Sequence, residues 1–432
     1  MTGTFRINVE HLTRVEGHGT IHLNVKEGTV EKMLWEVTEA PRLFEAFVKG
    51  KPYNELAQIT SRICGICSIG HTLASLKATE TAMGIKISEQ TGVLRRLAIH
   101  GENLQSHILH VGYLVAPDLL GVGSVFPLIK SHPDAVLKIV SLHKMANEMS
   151  DLICGRTTHP INLIPGGFWK IPSRRQLEDT KKKLIASVNT CNQIAELVLS
   201  VANKIPNFTR ETEYIALVSD DEYAIYDGMI GSTDTGKHPV KSYRTITNEF
   251  IVPQSTAKYT KHNRDSYMVG ALARFNLNSD KLSPMAKEWA NRFGLKAPNY
   301  NPFMNNVAQL VEFVHSLEDS IAIIDELLAV GLKDERMPKY KIKAGQGVGA
   351  VDVPRGILFH DYTYNNKGIC TKANCVIPTN QNHNNIQKDM EALAPQLLGK
   401  PEKEIELNLE MLVRAYDPCI SCSTHYLNVK FV

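Results

Sequence analysis

Two cysteine pairs, Cys64-Gly-Ile-Cys67 and Cys419-Ile-Ser-Cys422, stand almost at opposite ends of a 432-residue chain, and no other feature constrains the fold as strongly. Within each pair the cysteines are three apart, so at a helix start both sulfurs can face one point. A helix N-terminus also lowers thiol pKa and favours the thiolate that a metal requires. If both pairs serve one centre, the chain must carry its two ends back to a common interior point. The other four cysteines, Cys154, Cys191, Cys370 and Cys375, are scattered and form no cluster motif. From the residues alone, four thiolates admit structural zinc, an iron–sulfur cluster, or nickel and iron. Two things count against zinc: a chain this long does not need a metal staple, and structural zinc pairs usually share one compact module.

Periodicity divides the chain. The first forty residues alternate apolar and polar positions, as over 20–25 and 30–37, and with turn chemistry at Lys26-Glu27-Gly28-Thr29 they predict an antiparallel β layer. From Pro41 apolar residues fall at helical spacing over 61–83, 92–114, 134–154 and 174–204, which predicts a helical bundle spanning 41–204. Residues 205–300 are less regular, richer in Gly, Asp, Asn and Tyr, and read as an irregular insertion. In 301–432, helical patterns at 306–332, 384–398 and 403–416 flank an alternating β region at 339–374 and precede the second cysteine pair. The expected fold is α+β and predominantly α: a long-helix bundle with small antiparallel β regions near the N-terminus and in the C-terminal third. With no repeat or linker in view, the parts are expected to form one interwoven unit. Gly345-x-Gly-x-Gly349 lacks the spacing of a dinucleotide fingerprint and reads as a β turn.

Charge excludes little but guides the rest. Forty-eight basic against 45 acidic residues leave a net +3, too mild to argue for nucleic acid. Lys181-Lys182-Lys183 reads as a solvated helix face. The N-terminus has no apolar signal region, and no stretch approaches the roughly 18 apolar residues of a spanning helix. A cytoplasmic protein without direct membrane insertion is expected.

The residues around the cysteines carry a family resemblance. Arg62-x-Cys-Gly-x-Cys-x₃-His71 and Asp417-Pro-Cys-x₂-Cys-x₂-His425 resemble the paired signature of nickel–iron hydrogenase large subunits. Thr13-Arg-Val-Glu16-Gly-His, Gly155-Arg-x₂-His159-Pro-x₄-Pro165-Gly-Gly, Tyr267 to Asn276, Val353-Pro354-Arg355-Gly and Asn374-x₃-Pro378-Thr379-x₂-Asn382 resemble further family motifs, in family order along the chain.

The resemblance implies a catalytic subunit that cleaves H₂ heterolytically at nickel and an iron carrying cyanide and carbon monoxide. It implies Cys67 and Cys422 as bridging ligands and Cys64 and Cys419 as terminal nickel ligands, with Cys419 the first proton acceptor. Glu16 matches a proton-relay glutamate, for which the residues alone suggest a buried partner of Arg14 or Arg62. Arg355, preceded by Pro354, matches an arginine over the open metal position, Thr379 a donor to a cyanide, and His71 a histidine bonded to a bridging sulfur. Asp118 is matched loosely to a polar canopy completed with Arg355. His107, His110 and His159 read as core histidines or outer groups of the site. Glu45, the carbonyl of Cys375 and His425 match the ligands of a buried magnesium or iron. The implied partners are an iron–sulfur small subunit and further diaphorase-type subunits serving a soluble acceptor such as NAD(P). Only seven residues follow His425, either a short permanent end or an unprocessed extension.

Overall fold

The computed structural model describes residues 3–335 and 338–425, so the tail after His425 lies outside the described residues. It is predominantly helical, with small antiparallel sheets near the N-terminus and in the C-terminal third. Strands Phe5–Val9, Thr20–Lys26 and Thr29–Glu36 form the first sheet, with Ile21, Leu23 and Val25 turned into the core. Glu27 and Gly28 both take positive φ, 51° and 75°, as a tight loop matched to strand twist requires.

Helix Glu89–Leu109 starts where the Ser88 hydroxyl accepts the Thr91 amide, and it packs on helices Pro133–Cys154 and Asn305–Val330. Helix Arg174–Ser200 opens with a capping box between Ser173 and Gln176 and lies along the same group. These are the long helices that the 3.6-residue period predicts.

Residues 205–300 depart from the irregular insertion expected there. Strand Glu213–Val218 is buried along its whole length, and it lies in a four-stranded sheet with Met229–Ser232, Gly236–His238 and Tyr267–Met268. Burial on both faces removes the alternation by which a strand is recognised.

The third sheet positions the centre. Strands Gly345–Val353 and Gly356–Tyr364 form a hairpin whose two-residue turn is Pro354-Arg355, and Cys370–Val376 pairs outside it. Helix Ser68–Met83 lies directly on the first strand. A Cβ added at Gly345, Gly347 or Gly349 would come within 2.3, 2.1 and 2.1 Å of the carbonyl oxygens of Ala82, Ala78 and Ala74. The glycine run is therefore not the turn that its composition suggests. It is a strand whose alternate residues have no side chain because a helix backbone occupies that space. The same contact continues to Gly70, whose added Cβ would meet Val353 Cγ1 at 2.1 Å. Helix start and hairpin turn thus arrive at one end of the contact, bringing Cys67 towards Arg355.

Candidate metal centre

Cys64 follows the short turn Ser61–Ile63, and Cys67 caps helix Ser68–Met83. Cys419 caps the one-turn helix Ile420–Ser423, which carries Cys422. All four cysteines are buried, and their sulfurs lie within 4.8 Å of one another; among the described residues this is the one such group of metal-ligating side chains. The Cys64 and Cys419 sulfurs are 3.5 Å apart, and those of Cys419 and Cys422 lie in bonding contact. A disulfide there would use two of the four, whereas convergence of both pairs from opposite ends of the chain is what a shared ligand set requires.

Burial pushes the Cys64 thiol up, but hydrogen bonding from Cys67 and the Arg355 charge more than offset it, and the net shift is downward. The Cys67 amide donates to the Cys64 sulfur at 3.1 Å. Cys67 is raised well above an ordinary thiol, by its hydrogen bond with Cys64 and then by burial. One thiol of the N-terminal pair is thus readier than the other to lose its proton.

The first turn of helix Ser68–Met83 is held from behind. Glu102 accepts the amides of Ile69 at 2.7 Å and Gly70 at 3.0 Å, and burial pushes this carboxyl up to about 8 although both amides pull it down. Sequence reasoning missed Glu102, since nothing local marks a mid-helix glutamate as the anchor of another helix.

The C-terminal pair is held by polar contacts. The Ile420 amide donates to the Glu16 carbonyl at 2.9 Å, and Glu16 forms a parallel bridge with Cys419. The Glu16 carboxylate accepts the Ser421 amide at 3.2 Å and the Ser421 hydroxyl. It pairs with neither Arg14 nor Arg62, the partners that its sequence neighbourhood offered. Thr379 Oγ1 accepts the Cys419 amide at 3.0 Å, and the Cys422 sulfur lies 3.3 Å from the Ile63 carbonyl.

Arg355 is buried. Its Nε and Nη2 donate to the carbonyl and carboxylate of Asp417 at 2.7 Å each, and Nη1 to the Ser106 hydroxyl at 3.3 Å. The canopy expected between Arg355 and Asp118 is therefore not formed. Asp118 lies between Arg14 and Arg414, the latter at 2.8 Å, and two guanidinium groups saturate its carboxylate. Asp417, beside the C-terminal pair, takes its place. Gln309 donates to the free oxygen of Asp417 at 3.0 Å and pairs in turn with His110.

His71 shares a hydrogen bond with His360 at 3.0 Å through Nδ1, and its Nε2 is buried with no partner. Burial holds both histidines neutral, His360 down to about 3. His107 bonds Glu312 at 2.9 Å in the core, and His159 bonds the Ser61 carbonyl at 3.0 Å. Glu45 accepts the Cys375 amide at 2.8 Å, while His425 packs edge-on to Phe44 with both ring nitrogens buried and unpartnered.

Residues 42–135 and 268–425 match the family described as nickel-dependent hydrogenase, and residues 6–40 a HoxL-like family. The chain is 33% identical to sulfhydrogenase 1 subunit alpha of Pyrococcus furiosus over 98% of both chains. It is 30% identical to the NAD-reducing hydrogenase HoxS subunit beta of Cupriavidus necator, over 98% of this chain and 95% of that one. A crystal structure of an NAD⁺-reducing [NiFe]-hydrogenase in the H₂-reduced state superposes with a TM-score of 0.88 at 27% identity, covering 98% of this chain and 99% of that one. Four converging cysteines on this fold and relatives matched over their whole length lead to one conclusion: the chain belongs to the nickel-dependent hydrogenases, as the catalytic large subunit of a nickel–iron hydrogenase, an oxidoreductase acting on H₂.

Proposed function

We propose that this subunit cleaves H₂ heterolytically and reversibly at a nickel–iron centre held by Cys64, Cys67, Cys419 and Cys422, and passes the proton out through Glu16. The observation that carries the reading is the seating of Glu16 against the cysteine site, bridged to Cys419 through its backbone and to Ser421 through its carboxylate. Four mutually close, buried thiols suit nickel and iron in number and softness. When bound, that centre supplies the Lewis acidity and redox capacity for splitting the H–H bond.

The chain's own residues supply the rest. Cys64 and Cys419 would serve as terminal thiolates, each keeping a lone pair free for a proton, while Cys67 and Cys422 would be shared with an iron that would carry cyanide and carbon monoxide. Cys419 takes the first proton and hands it to Glu16, a general acid/base in reach of its own segment. Arg355, held by Asp417, would present positive charge to the bound centre and to a cyanide on it, with Pro354 shaping the turn behind it. Thr379 orders the Cys419 backbone and would donate its hydroxyl to a cyanide of the bound centre. His71 has a spare ring nitrogen for a bridging sulfur, and pairing with His360 fixes which nitrogen that is. Asp118 acts at a distance, by locking the Arg14 segment that leads to Glu16.

Glu45, the Cys375 carbonyl and His425 would hold a magnesium or iron ion. The two unpartnered nitrogens of buried His425 favour such a ligand, and a few protein groups plus waters suit magnesium. Electrons leave through an iron–sulfur small subunit to a soluble acceptor such as NAD(P) on diaphorase-type subunits, in a cytoplasmic assembly. The likeness to NAD-reducing hydrogenases favours this branch. Elemental analysis together with infrared spectroscopy tests the reading. Nickel with at least one iron for each nickel, together with carbon monoxide and cyanide bands, is expected. Zinc alone, with no such bands, would overturn it.

A further inference from the structure

One buried arginine that the cysteine site does not use points directly at the turn carrying Arg355. Arg274, on helix Ala271–Asn278, is fully buried, and each of its five N–H donors has a separate acceptor. Nε and Nη2 donate to the two oxygens of Glu312 at 2.6 Å each. Nη1 donates to the Asp352 carboxylate and to the Val353 carbonyl at 2.8 Å, and Nη2 also donates to the Pro354 carbonyl at 3.0 Å. Neutralising Glu312 would need only two donors. The other three go to the three residues immediately preceding Arg355.

We propose that Arg274 is a positioning residue for Arg355: its guanidinium clamps the carbonyls of Val353 and Pro354 and so fixes the turn that aims Arg355 at the four-cysteine site. The clamp is itself anchored in the core. Glu312, on helix Asn305–Val330, also receives the Tyr223 hydroxyl at 2.5 Å and His107 at 2.9 Å. Gly270, at φ 123°, opens the arginine's helix against the same turn, where an added Cβ would stand 3.4 Å from the Arg355 carbonyl. A lysine could keep the charge between Glu312 and Asp352, but its three donors radiate from one atom and cannot span two carboxylates and two carbonyls.

The proposal rests on the reading of Arg355 given above, and the test separates the two. In the purified holoenzyme, Arg274→Lys, Arg355→Lys and the double variant are compared for metal content, H₂ turnover and deuterium exchange of the amides in residues 353–357. Arg274→Lys is expected to retain nickel and iron, to speed exchange of that turn about tenfold, and to lower turnover about tenfold in the parent but less than about twofold beside Arg355→Lys, as coupled residues do. Equal losses in both backgrounds, or unchanged turn exchange, would overturn it. Should Arg355→Lys alone leave turnover intact, the role given to Arg355 fails, while turn exchange still decides whether Arg274 holds it. If Arg274→Lys does not accumulate, Arg274→Gln with Glu312→Gln leaves the buried net charge unchanged. That pair must show the same fast exchange with metals retained, and ordinary exchange there sinks the proposal.

Discussion

The N-terminal cysteine pair sits at the head of a sixteen-residue helix whose backbone lies on a strand with no side chain between them. The C-terminal pair sits on a single helical turn held by the Glu16 segment, Thr379 and the Arg355–Asp417 pair. Packing, backed by the buried Glu102 carboxyl, seats the first, and hydrogen bonds to ionisable or hydroxyl groups seat the second. A close-packed contact adjusts little without cost, so it suits ligands that must only hold. The C-terminal seat places the Glu16 carboxylate against its segment, the side through which we propose that the proton leaves.

The largest expected effect ignores the difference. Replacing any one of Cys64, Cys67, Cys419 or Cys422 with Ala should abolish both nickel retention and H₂ turnover, because either seat without its thiolate leaves the ligand set incomplete. Full activity after one such change would break the assignment outright.

Next is Glu16→Gln, which should sharpen the contrast. The side chain keeps its size and can still accept from Ser421, so metals and infrared bands should persist. Turnover and hydrogen–deuterium exchange with water should fall about 10²- to 10⁴-fold, the range for a lost general acid/base, while ortho–para hydrogen conversion survives. Normal exchange rates would show that protons leave by another route.

Gly347→Ala probes the packed seat. Its Cβ would stand 2.1 Å from the Ala78 carbonyl and 2.4 Å from the Ala82 amide, both backbone atoms. Overpacking should lower stability by about 3 kcal/mol, read as a drop in Tm, with no specific effect on proton transfer. An unchanged Tm would mean that helix and strand are not in backbone contact.

Glu102 adds a pH dependence to the same seat. With its carboxyl at about 8 in the fold against 4.5 ordinarily, the folded protein holds a proton that the unfolded chain has lost between those values. Stability present below about pH 4.5 is therefore lost as pH rises through 8, by roughly 5 kcal/mol at about 1.4 kcal/mol for each pH unit between the two values. Glu102→Gln should flatten that slope in urea midpoints, and an unaltered slope would assign it to other groups. The smallest effect belongs to the hydrogen-bonded seat: Thr379→Val leaves the buried Cys419 amide unpaired and should cost about 1 kcal/mol of stability, measured by the same midpoints.

Long helices were legible because their apolar stripes repeat locally, as in 134–154 and 306–332, and the hairpin at Glu27-Gly28 was legible from its turn chemistry. Strand Glu213–Val218 was not, because six successive buried residues have no alternation to read. The glycines at 345, 347 and 349 were visible but misread, since the helix that explains them lies more than 260 residues earlier in the chain.

The sequence by itself determined that four cysteines in two pairs form the centre, which ordered motifs accompany them, and that helices dominate. These are matters of residue identity and short-range period, and they survive without any knowledge of packing. Only the tertiary structure decided who meets whom around the centre. Arg355 takes Asp417 and not Asp118, because Arg14 and Arg414 already hold Asp118. Glu16 turns to Ser421, 405 residues away, and Glu102 and Arg274 anchor the elements that carry the site. A charged side chain pairs with whichever opposite or polar partner packing delivers within hydrogen-bond reach, and that delivery depends on helix and strand contacts spread along the whole chain.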